Sequence, residues 1–71
     1  MGINEIVPAK DFVTAVSDRF DKEQYLEVRY PYKGKTADTV LKAGDAENFV
    51  RFLKEIIKDL DMENYEIEIV T

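Results

Sequence analysis

Carboxylates are the side chains in this sequence best spaced to do chemistry. Asp59-x-Asp61-x-Glu63 has the spacing of the first ligands of a calcium-binding loop, and Glu66 and Glu68 project to one side of a segment with strand periodicity. The calcium match stops there. The sixth position is Asn64 where the loop needs Gly, and the twelfth is Val70 where it needs Glu. Glu27, Glu66 and Glu68 could act as acid and base only inside a cleft that desolvates them, and a sheet face in a chain of 71 residues is expected to be open. There is no His and no Cys. That removes the commonest general base, the commonest metal ligand and the thiol nucleophile together. The glycines at 2, 34 and 44 form no phosphate-binding loop. The sequence therefore predicts a non-enzymatic protein with no catalytic residue, no metal and no cofactor.

What remains is recognition through charge. Fifteen acidic and ten basic residues give a net charge of −5. The charge is uneven: residues 24–44 carry two acids and four bases, net +2, and residues 45–71 carry eight acids and three bases, net −5. Asp59, Asp61, Glu63, Glu66 and Glu68 occur with no base between them. Carboxylates spread over a small rigid domain can imitate phosphates and occupy a basic surface on another protein. Tyr25, Glu27 and Arg29 would share a face with Glu66 and Glu68, and this mixture of Tyr, Arg and carboxylates suits a protein-binding patch. The reading is a protein-binding module, such as a small acidic inhibitor or regulator of the nucleic-acid-mimic kind used by phages. The alternative is a nucleic-acid accessory domain using the basic hairpin, with Arg29, Tyr32, Lys33 and Lys35 on phosphates and bases. The net negative charge argues against that alternative. A third possibility is a homo-oligomeric assembly subunit that dimerises through a sheet edge or the open sheet face.

Hydrophobic residues make up 45% of the chain, enough for folding rather than disorder. No basic, apolar leader and no run of about 18 apolar residues is present, so a cytoplasmic protein that does not enter a membrane is expected. The absence of Cys fits a reducing compartment.

These side chains must be positioned by few elements. From Pro8 to Phe20, apolar Ala9, Phe12, Val13, Val16 and Phe20 fall three and four apart, which predicts a helix. Gln24 to Tyr32 and Thr36 to Lys42 read as two strands joined at Lys33-Gly34. A two-residue loop sets Tyr30 opposite Ala37, Val28 opposite Thr39, Leu26 opposite Leu41 and, on the other face, Arg29 opposite Asp38. One more loop residue would set Val28 opposite Asp38 or Leu26 opposite Lys42, so the two-residue register is the consistent one. Pro31 then turns its missing N–H away from the return strand, and a neighbour on that side must stop short of it. Asp45 is a good N-cap for a second helix with the stripe Phe49, Phe52, Leu53, Ile56, Ile57 and Leu60. Residues 61–64 read as a turn. Tyr65 to Val70 reads as a last strand with Tyr65, Ile67 and Ile69 inward.

The order α-β-β-α-β predicts one α+β domain over residues 1–71. Its three-stranded sheet is expected in the order 2-1-3, with two helices packed on one face. The other face would carry Tyr25, Glu27, Arg29, Asp38, Val40, Glu66, Glu68 and Val70. An alternative adds Ile3 to Val7 as a strand and gives the ferredoxin-like order β-α-β-β-α-β. Those residues lack alternation, and that arrangement would put the polar Thr36–Lys42 strand at the centre of the sheet.

Overall fold

In a computed structural model, which describes residues 4–70, the chain begins with a strand. The elements are β1 (Glu5–Pro8), α1 (Ala9–Arg19), β2 (Tyr25–Tyr32), β3 (Lys35–Lys42), a single 3₁₀ turn (Ala43–Asp45), α2 (Ala46–Ile56) and β4 (Glu66–Val70). The strands form one antiparallel sheet in the order β1-β4-β2-β3.

The expectation of three strands is corrected to four. β1 pairs Glu5 with Ile69 and Val7 with Ile67 along the outer side of β4. Its sequence hides it because Ile6 and Val7 are both apolar yet face opposite ways, Ile6 being 61% exposed and Val7 buried. β4 lies beside β2, and β2 beside β3, as the 2-1-3 order of those three requires. The ferredoxin-like alternative has the observed element order, but it centres the Thr36–Lys42 strand, and β3 is an edge. Ile3, the first residue of the strand in that alternative, lies outside the described residues.

The β2–β3 register pairs Val28 with Thr39, Tyr30 with Ala37 and Arg29 with Asp38. Lys33 (φ 51°) and Gly34 (φ 76°) take the two left-handed positions of the hairpin turn. The β2–β4 ladder runs from Glu27 opposite Val70 to Arg29 opposite Glu68 and goes no further. Pro31 has no N–H to extend it.

Pro8 is not inside the first helix. It ends β1 and caps α1 in extended geometry, with no side-chain cap bond. The free N–H groups of Ala9 and Lys10 donate instead to the carbonyls of Tyr65 (2.7 Å) and Met62 (2.9 Å). The second helix is also shorter than its apolar stripe. It stops at Ile56, and Ile57 is already extended (φ −115°). Ile57 and Leu60 still pack against the core, from a non-helical segment. Asp45 caps α2 without a side-chain bond, because a 3₁₀ turn precedes the helix there.

Both helices cover one face of the sheet. Val7, Leu26, Val28, Tyr30, Ile67 and Ile69 meet Phe12 and Val16 of α1 and Phe49, Val50 and Leu53 of α2 in one core. Phe49 is its aromatic hub, with ring centroids 5.5 Å from Phe12 and 5.3 Å from Tyr30, the latter edge-on. Among the described residues, no helix lies over the opposite face of the sheet.

Candidate functional site

The helix-free face is built by strand alternation. Residues 27 and 29 of β2, 38 and 40 of β3, and 66, 68 and 70 of β4 point away from the core because their neighbours point into it. Ile6 joins them from β1. One row crosses all four strands: Ile6, Glu68, Arg29, Asp38.

Arg29 is the hub of that row. Its Nε donates to Asp38 Oδ2 at 3.3 Å, and its Nη2 lies 3.6 Å from Glu27 Oε2. Glu68 faces it in register and accepts a 2.6 Å hydrogen bond from Asn4 Nδ2. Asp38, with Glu27 and Glu68 adding to it, raises the guanidinium's hold on its proton. Glu27 is pushed above the ordinary carboxylate range, chiefly because Asp38 can share a proton with it and repels its charge; the opposing pull of Arg29 is weaker. Arg29 thus serves several carboxylates at once.

Where Pro31 ends the ladder, the backbones of β2 and β4 are no longer bonded and the face dips. A hollow of about 210 Å³ opens there, lined by Ile6, Arg29, Tyr30, Pro31, Thr36, Glu66 and Glu68. Two carboxylates and one guanidinium edge it. Tyr25, 66% exposed, and Val40, 62% exposed, supply apolar surface on the same face. Lys42 Nζ lies 5.7 Å from the Tyr25 ring centroid and 3.3 Å from Glu23 Oε2.

The sequence-derived partner-binding set therefore divides. Tyr25, Glu27, Arg29, Glu66 and Glu68 share the open face. Asp59, Asp61 and Glu63 lie in the loop between α2 and β4. Asp59 takes a left-handed backbone (φ 57°). Asp61 is committed to its own turn: Oδ1 accepts from the N–H of Glu63 (3.1 Å) and of Asn64 (3.3 Å), and Oδ2 accepts from Asn64 Nδ2 at 2.7 Å. These bonds, that from the Asn64 side chain foremost, hold the Asp61 carboxyl below its usual range. The loop's Tyr65 and Met62 carbonyls also receive the Ala9 and Lys10 N–H groups, so this part of the loop lies at the positive end of α1, while Asp59 follows closely on the end of α2. Among the described residues, no three acidic side chains are arranged to hold a metal ion.

The hairpin set is dispersed as well. Arg29 stands among carboxylates on the open face, and Tyr32 packs half-buried against the core with Lys33 Nζ 5.2 Å from its ring centroid. Lys33 and Lys35 remain exposed at the tip. Sequence reasoning missed Ile6, which belongs to a strand left out of the preferred fold, and Asn4, which immediately precedes that strand. It also missed the hollow, whose lining is drawn from all four strands beside the point where the β2–β4 ladder ends.

No family model, no curated protein and no solved structure gives a significant match to the chain. The functional reading rests on the face itself.

Proposed function

We propose that this chain is a non-enzymatic protein-binding module whose open sheet face seats a basic surface of a partner protein, acting by occupancy as an inhibitor or regulator does. The supporting observation is the imbalance on that face: Glu27, Asp38, Glu66 and Glu68 against Arg29 at its centre, with Glu66 and Glu68 beside a hollow and Lys42 at the far end paired to Glu23. A lysine or arginine of the partner entering that hollow would relieve the crowding of like charge. Tyr25, Val40 and Ile6 would supply the apolar contact that charge alone lacks. Contacts of this type speed encounter and set specificity, and they weaken with salt. A cytoplasmic setting suits a chain without cysteine, and among the described residues no helix is long and apolar enough to cross a membrane.

The test is an amide NMR titration with a short arginine-rich peptide as the probe. Shifts centred on Arg29, Thr36, Glu66 and Glu68 that fade with added salt support the reading. Shifts confined to the 59–63 loop or to the hairpin tip contradict it.

A further inference from the structure

β3 is the sheet edge that the fold leaves open. In the two-residue hairpin, Tyr32–Lys35, Tyr30–Ala37 and Val28–Thr39 are the pairs that exchange hydrogen bonds. The N–H and C=O groups of Thr36, Asp38, Val40 and Lys42 therefore point away from β2. Among the described residues, no strand pairs with that side. The opposite edge is blunted. β1 is four residues long and ends in Pro8, which has no N–H to offer.

Charge on the outer face says what fits the open edge. The row Glu68–Arg29–Asp38 alternates in sign and stops at β3 on a carboxylate. Lys42 lies on the same face of the same strand, so β3 carries an acid and a base on either side of exposed Val40. We propose that a second copy of this chain pairs its β3 with this one, antiparallel, about a two-fold axis at Val40. That register sets Val40 against Val40, and Asp38 against the second copy's Lys42 at both ends. The alternating row then runs on across the junction. A register centred on Asp38 would oppose two carboxylates, and one centred on Thr39 would oppose Asp38 to Val40. Lys42 can exchange its exposed contact with Glu23 for this pairing. The product is a continuous antiparallel sheet with both helix layers on one side and the two acidic faces joined on the other. It stands independently of the proposed partner.

Sedimentation velocity over a wide concentration range tests this. A reversible dimer is expected. Val40→Pro deletes an outward N–H without touching the β2 ladder, and it should weaken the dimer by roughly tenfold or more. Asp38→Lys and Lys42→Asp should each weaken association, and the two together should restore it. Circular dichroism checks that each variant is folded. A chain that stays monomeric at every concentration overturns the proposal, as does a dimer indifferent to Val40→Pro. A double charge swap no better than either single one overturns the Val40 register.

Discussion

Tyr65 donates its phenolic proton to the carbonyl of Pro31, tying the start of β4 to the end of β2 just beyond the point where their ladder stops. Burial, with Tyr30 adding to it, pushes the Tyr65 phenol up to about 12 from an ordinary 10.

That shift has a signed consequence. Between pH 10 and 12 the unfolded chain loses the Tyr65 proton while the folded chain keeps it, so stability is full below pH 10 and falls as pH rises toward 12. Tyr65→Phe should cost about 1 kcal/mol at neutral pH. It should also flatten the alkaline decline. Urea denaturation of both chains across that pH range measures both effects.

Phe49 contacts Phe12 and Tyr30 at once, so truncating it should open a cavity between α1, α2 and β2. Phe49→Ala is expected to cost about 3–5 kcal/mol. A core of this size supplies a net stability of only about 3–5 kcal/mol, so the variant should be largely unfolded at 25 °C. Loss of the cooperative thermal transition is the readout.

Lys33 holds a left-handed φ of 51° at the first turn position, where a residue other than Gly or Asn is strained. Lys33→Asn should stabilise the fold by about 0.5–1 kcal/mol, seen as a higher denaturation midpoint with an unchanged slope.

Asp61 gives the acid-side counterpart of Tyr65. Its folded carboxyl lies below the usual 3.8, so its contribution is full above that pH and is lost as pH falls through the lower folded value. Glu27 runs the other way: its raised carboxyl adds stability on the acid side, which is lost as pH rises through the folded value. Asp61→Asn should remove the first component and Glu27→Gln the second. Acid titrations of thermal stability separate them.

Much of this fold is legible where side chains leave no alternative. The hairpin register follows from Val28 and Leu26, which cannot sit opposite Asp38 or Lys42, and the end of the β2–β4 ladder follows from the proline at 31. β1 is not legible, because Ile6 and Val7 hide their opposite directions behind the same apolar character. The end of α2 is hidden too, since Ile57 and Leu60 keep helical spacing while packing from a loop. The open face is readable from alternation on three strands. The hollow is not, because its lining is drawn from all four strands. Acidic residues also look alike in sequence, though Asp61 is spent on its own turn and Glu66 is exposed on the face.

The division between face and loop yields the most direct measurement of partner binding. A protein captured from lysate at low salt is purified, and its affinity is measured for the wild type and two charge variants. Glu66→Lys with Glu68→Gln alters the face without placing a cation opposite Arg29. Asp59→Lys with Glu63→Lys alters the loop by a similar amount. The face variant should bind roughly tenfold or more weakly, the loop variant close to wild type, and the wild-type affinity should fall steeply with salt. Full affinity in the face variant, or loss confined to the loop variant, would contradict the account.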